Sequence, residues 1–133
     1  KKHNSKPVHT AKEIEKLKNL FPYNIRQFNV YHNNEIVAGT TVFITKNVIH
    51  PQYISGNSSK NDLGSIDFLY DYLINDVFKN SKFFDFGPSN EENGRKLKEG
   101  ILFWKESFGA KTVIQDFYEI KTASSVNLED ILI

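Results

Sequence analysis

Four groups of residues in this chain have the chemistry for catalysis or for holding an anion. The first is Asp85, set in the apolar run Phe83-Phe84-Asp85-Phe86 directly before Gly87-Pro88. A carboxylate inside a strand buried on both faces needs a partner or a chemical role. The second is His50, beside Pro51 and on the same expected strand face as Gln52 and Ile54. As a general base it needs a nucleophile within reach, and a structural or solvent-facing histidine is the alternative. The third is the junction Tyr53-Ile54-Ser55-Gly56 with Gly64-Ser65 beyond it. A strand that ends in a polar, glycine-containing loop and opens a long helix presents unpaired N–H groups, which suit an anion. A plain strand-to-helix loop is the alternative. Arg95, beside Lys96 and Lys98, has the chemistry to meet a phosphate or carboxylate, or simply to be solvated.

Other chemistries are excluded. Neither Gly-x-x-x-x-Gly-Lys-Ser/Thr nor Gly-x-Gly-x-x-Gly occurs. Asp85-Phe86-Gly87 spells the kinase magnesium tripeptide, but no His-Arg-Asp loop or glycine-rich ATP loop accompanies it. The four histidines, at 3, 9, 32 and 50, lack metal-ligand spacing. Asn57-Ser58-Ser59 matches a glycosylation sequon without a secretory context. The absence of cysteine removes disulfides, thiolate zinc sites and a thiol nucleophile, which fits a reducing, cytoplasmic location. A formal net charge of +1 with interspersed signs gives no footprint for DNA or an anionic membrane.

The elements that must position these groups follow from periodicity. With 133 residues, 39% of them apolar, the chain suits one domain with one core. Residues 1–9 read as a flexible lead-in, 10–121 as the domain and 122–133 as a tail, with 128–133 able to dock as a short helix. The first element is already a helix, so the chain reads as a fragment whose sheet can have its first strand upstream. Thr10 and Glu13 form a capping box, Ile14, Leu17, Leu20 and Phe21 form the apolar stripe, and Pro22 closes the helix. Three strands follow, at 25–31, 36–44 and 48–55, with a tight turn at His32-Asn33-Asn34-Glu35. Ile36, Ala38, Thr40, Val42 and Ile44 are expected on one face, and Pro51 at an edge or bulge. The clearest helix covers 63–77, capped by Asn61 or Asp62, with Leu63, Ile66, Leu69, Tyr70, Leu73, Ile74 and Val77 inward. A strand at 83–86, a helix from about Gly94 with Leu97, Ile101, Trp104 and Phe108 on one stripe, and a strand at 112–121 complete the order. Gly100 inside that helix indicates close approach to sheet or ligand, or mere tolerance.

This pattern resembles the GNAT N-acetyltransferase superfamily, and within it the Fem-type (FemAB-like) branch of bacterial aminoacyl transferases and their relatives. The resemblance spans residues 8–121 and rests on three segments. Leu63-Gly64-Ser65-Ile66-Asp67-Phe68-Leu69 looks like the central helix start, Phe84-Asp85-Phe86-Gly87 like the fifth strand, and Phe103-Trp104-Lys105-Glu106-Ser107-Phe108-Gly109-Ala110 like the end of the last helix. It implies an α+β fold: a mixed, mostly antiparallel sheet with helices on both faces, whose strands at 48–55 and 83–87 splay apart. The arm of an acyl-CoA, acetyl-CoA for instance, would lie in that gap against Ile54, Ser55 and Gly56. Its pyrophosphate would rest near residues 59–65, Gly64 and Ser65 among them. An aminoacyl-tRNA donor is the Fem-type alternative. The activity implied is transfer of an acyl group to an amine on a small molecule or peptide. His50 and Tyr118 would be the acid/base candidates, Asp85 would orient a partner, and an upstream domain of the same protein would complete the assembly. Two departures favour a catalytically silent binding or assembly module instead. The loop reads Gly-Asn-Ser-Ser-Lys-Asn-Asp-Leu-Gly rather than the family's glycine-rich phosphate loop, and Lys105 stands where many acetyltransferases carry a tyrosine acid.

Overall fold

A computed structural model describes residues 7–119. The capping box forms as expected. The Glu13 carboxylate accepts from the Thr10 N–H at 2.6 Å and the Thr10 hydroxyl accepts from the Glu13 N–H at 3.3 Å, opening α1 (Ala11–Leu20). Next come β1 (Ile25–His32), β2 (Glu35–Ile44) and β3 (Val48–Gly56), an antiparallel meander. Asn33 and Asn34 both take positive φ (49° and 65°), which matches the right-handed twist of a two-residue hairpin. β4 (Phe83–Phe84) joins β3 in parallel, so the sheet runs β1-β2-β3-β4 and the fold is α+β with a mixed, mostly antiparallel sheet.

Two bulges set which residues share a face. Val37 is extra on β2, since Val30 pairs with Ala38 while Tyr31 pairs with Ile36. Ile36 therefore leaves the face expected of it and is 54% exposed, while Val37 is buried. Gln52 is extra on β3, since Thr41 pairs with Tyr53 while Val42 pairs with Pro51. Pro51 thus sits beside a bulge, where its missing N–H interrupts a ladder that is already broken.

α2 (Ser65–Tyr72) runs on into a π turn, Leu73–Val77, closed by the Phe78 N–H on the Leu73 carbonyl at 2.9 Å. Leu69 and Leu73 meet Ala38, Val42 and Ile49 in the core, and Phe28, Val30, Ile44 and Phe84 pack around them. The helix starts two residues later than expected. Its cap is Gly64 at φ +56°, not the Asn61 or Asp62 side chain. α1 begins over the opposite face, because His9 meets Tyr53, which the register sets with Thr41 rather than with Thr40 and Val42.

The last third departs most from expectation. The helix expected from Gly94 begins only at Glu99, as α3 (Glu99–Ser107). Residues before it form a hairpin, β5 (Asn90–Glu91) with β6 (Lys96–Leu97), turned by Glu92, Asn93 and Gly94 at positive φ. The Glu91 carboxylate meets Lys98 at 2.8 Å and Lys96 at 3.1 Å, so Lys96 stabilises a hairpin and not a first helical turn. Arg95 lies in that turn, and Leu97 lies in β6. A Cβ on Gly100 would meet nothing within 4 Å, so that glycine is tolerated, not required. No strand forms at 112–119, where Val113, Ile114, Phe117 and Tyr118 are exposed. With β4 only two residues long, there is little ladder for a further strand to extend. The possible helix at 128–133 and lead-in residues 1–6 lie outside the described residues. Among the described residues no helix is long and apolar enough to cross a membrane.

Leu73 is fully buried where helix meets sheet. Leu73→Ala should cost about 2–5 kcal/mol of stability in a denaturant titration. The Lys98 and then the Lys96 ammonium hold the Glu91 carboxyl below its ordinary value of 4.5. A carboxyl depressed by folding stabilises the fold fully above its unfolded pKa and loses that contribution as pH falls through the folded one. The hairpin amides should therefore keep their full protection from exchange above about pH 4.5 and lose part of it progressively as the pH falls further, a change that Glu91→Gln removes.

Candidate functional site

β3 and β4 are paired at two positions only, Val48 with Phe83 and Ile49 with Phe84, followed by one more bond from the Asp85 N–H to the Ile49 carbonyl at 2.8 Å. Beyond that point β3 continues to Gly56 paired with β2, while the other strand leaves the ladder. Phe84 and Phe86 turn to a cluster with Tyr70, Trp104 and Phe108, with ring centroids 5.0–6.1 Å apart. Each such pair contributes about 0.5–1.5 kcal/mol beyond burial, enough to favour the aromatic seam over continued pairing. Burial pushes the Tyr70 hydroxyl well above its ordinary pKa, with the Thr40 hydroxyl beside it opposing the shift.

His50 and Asp85 stand astride this fork. His50 Nδ1 lies 2.9 Å from Asp85 Oδ2, while Asp85 Oδ1 accepts the Gly87 N–H at 2.8 Å. A carboxylate only accepts, so Nδ1 is the donor between the two groups, and in the neutral form of the ring Nε2 is then the basic nitrogen. Nε2 has no partner among the described residues. Gly87 takes φ +70°, and a Cβ there would lie 3.6 Å from His50 Cε1, so the ring rests on its backbone. Behind the turn, the buried Lys105 donates from Nζ to the Gly87 and Pro88 carbonyls, each at 2.8 Å.

The bulge at Gln52 matters here. His50 pairs with Phe43 and Tyr53 with Thr41, so the two share a face although an even and an odd number would not in a regular strand. That face carries a groove of about 370 Å³ lined by Gln27, Asn29, Gly39, Thr41, Tyr53 and Ser55. Its floor is a hydrogen-bond network. Thr41 donates to Gln27 Oε1 at 2.6 Å, and Gln27 Nε2 donates to Asn29 Oδ1 at 2.8 Å. A Cβ on Gly39 would sit 2.7 Å from Asn29 Oδ1, so the network requires glycine beneath it. At the groove's end the Tyr53 hydroxyl accepts the His9 N–H at 3.0 Å and lies 2.7 Å from His9 Nδ1.

Ile54, Ser55 and Gly56 line this groove together, and Gly64 and Ser65 stand at the start of α2. Ser65 Oγ is buried without a hydrogen-bond partner among the described residues. The Ser65 N–H turns back to Lys60 and the Phe68 N–H to Gly64, leaving those of Ile66 and Asp67 unbonded among the described residues. Tyr118 is not brought to the site. It is 85% exposed and its hydroxyl reaches only Asp116, at 3.3 Å. Sequence reasoning missed Lys105 as a clamp and the polar groove, while Lys60, within the expected stretch 59–65, packs its stem on Gly56. Gly39 within a strand was the available signal for the groove, since an isolated strand glycine marks close approach. Among the described residues no group of histidines and carboxylates could hold a metal ion.

No protein-family model matches the chain, and no curated protein matches it at a significant level.

Because the atoms that would clash with a Gly39 Cβ belong mainly to mobile side-chain ends, Gly39→Ala should break the Gln27–Asn29 bond without unfolding the sheet. The side-chain amide resonances of both residues should shift, while the thermal midpoint changes little.

Proposed function

We propose that this chain is an acyltransferase domain of the GNAT fold, resembling the Fem-type branch, that moves an acetyl or aminoacyl group from a thioester or ester onto an amine. The observation that carries the reading is the fork between β3 and β4 with a His50–Asp85 pair across its opening. Proteins that transfer acyl groups need a slot for the donor, a base for the attacking amine and donors for the developing oxyanion. His50 Nε2 takes the proton of the attacking amine as the C–N bond forms. The C–S or C–O bond then breaks, and the imidazolium returns the proton to the departing thiol or hydroxyl. The unpaired backbone of the bulge at Gln52 is a candidate oxyanion donor. The donor's phosphates lie at the amino end of α2, where Ser65 Oγ and two N–H groups lack partners among the described residues and Lys60 supplies a cation.

A second reading, a silent GNAT-fold binding or assembly module, draws on two contacts. Lys105 occupies the position of the family's tyrosine acid and spends its ammonium on two carbonyls. The Asp67 carboxylate, held by Trp104 Nε1 at 2.6 Å, already sits in the first turn of α2, where it disfavours a second anion.

Titration calorimetry with acetyl-CoA separates the two readings. The enzyme reading expects binding heat that weakens in Lys60→Ala, and turnover with an amine acceptor that falls about a hundredfold in His50→Ala. Absence of heat with every acyl-CoA tested would remove the thioester donor, and absence of transfer from aminoacyl-tRNA as well would leave the silent module.

A further inference from the structure

We infer that Lys105 is a positioning residue: its buried ammonium, clamped on the Gly87 and Pro88 carbonyls, decides through Asp85 which ring nitrogen of His50 carries the proton. The chain of contacts is continuous. Lys105 Nζ reaches from α3 to the Gly87 and Pro88 carbonyls at 2.8 Å each, the Gly87 N–H reaches Asp85 Oδ1 at 2.8 Å, and Asp85 Oδ2 reaches His50 Nδ1 at 2.9 Å. Gly87 lies at its centre, its carbonyl accepting from the lysine and its N–H donating to the carboxylate.

Packing alone does not account for a lysine at this place. The residue is 6% exposed among aromatic neighbours on α3, where a methionine of equal length would fill the space without the loss of hydration. Burial drags the Lys105 ammonium below its ordinary pKa, and the charge of Asp85 opposes that shift. The residue's polar end is directed at the one turn that supports the dyad, and there it holds the Gly87 and Pro88 carbonyls while the Asp85 carboxylate holds only the Gly87 N–H. Without the clamp the turn is free to rotate, Asp85 loses the Gly87 N–H that aims it, and the imidazole reverts to the tautomer of free histidine, with the proton on Nε2. In that form His50 presents a donor where a base is required. The consequence for turnover rests on the acyl-transfer reading, whereas the tautomer does not.

The test is a long-range proton–nitrogen spectrum of the histidine rings in the full chain, at a pH where His50 is neutral, for the native protein and Lys105→Met. The native spectrum is expected to place the proton on Nδ1 of His50, and the methionine variant to lose that signal to the Nε2–H form while the sheet resonances hold. Lys105→Arg, which keeps several donors, should retain Nδ1–H. In a transfer assay the methionine variant should lose about tenfold or more in kcat with the donor KM unchanged. A methionine variant that keeps Nδ1–H overturns the proposal and makes Lys105 a packing residue. If that variant does not fold, amide exchange of the native chain decides, because an unprotected Gly87 N–H also overturns it. A native chain with no transferase activity sinks the acyl-transfer reading while leaving the tautomer result to judge Lys105.

Discussion

Between Val42 and Thr41, as β3 runs alongside β2, there are three residues of β3 where a regular ladder would have two, and Gln52 is the surplus. Pro51 makes the spot intolerant of regular pairing, and the extra residue absorbs the mismatch. A strand alternates sides with every residue, so one insertion reverses the parity of all that follows. Through this reversal His50 and Tyr53 point to the same side of the sheet, and the His50–Asp85 pair opens onto the face that holds the polar groove. Ile49 and Pro51, both ahead of the bulge and two residues apart, are buried opposite Ile44 and Val42.

The fork is the second consequence of competition between backbone and side chains. Two parallel pairs join β3 to β4, and parallel pairing is the weaker kind per residue. Against it stand five aromatic rings, Tyr70, Phe84, Phe86, Trp104 and Phe108, in which Tyr70 and Phe86 each touch the other four. Asp85 sits where the competition changes hands. Its N–H makes the last bond to β3, and its carboxylate divides between His50 and Gly87. A carboxylate that looked misplaced in an apolar run is thus the group that joins the ladder, the turn and the histidine.

Much of this was legible in advance because it is local. Thr10 and Glu13 three residues apart dictate a cap, and Asn33-Asn34 between alternating apolar runs dictates a hairpin. Pro51 marked a ladder defect for the plain reason that proline has no N–H to give. The misreadings have equally local causes. Leu97, Ile101, Trp104 and Phe108 keep helical spacing, yet Gly94 with the residues before it favours left-handed backbone, and the charges of Glu91, Lys96 and Lys98 suit a hairpin just as well. Residues 112–119 alternate as a strand would, but alternation describes a face to be covered and not a partner to pair with. Asn61 and Asp62 are good caps by type, and Gly64 took the place because the loop's turns run on to it, two residues past Asp62.

Residue order alone settles the first helix, the body of the second and the meander, since each follows from hydrogen-bonding capacity and periodicity within about ten residues. The strand expected to bury Asp85 on both faces, by contrast, leaves that side chain half exposed. Which histidine answers Asp85, that Lys105 backs the turn from eighteen residues away, and that Gln27, Asn29 and Thr41 form a groove beside Tyr53 are matters of folding in space. Those pairings cross between strands and from strand to helix, and they hinge on the parity set by a single bulged residue. Propensity and spacing carry no record of such parity, because it arises from how two strands share a ladder and not from either one.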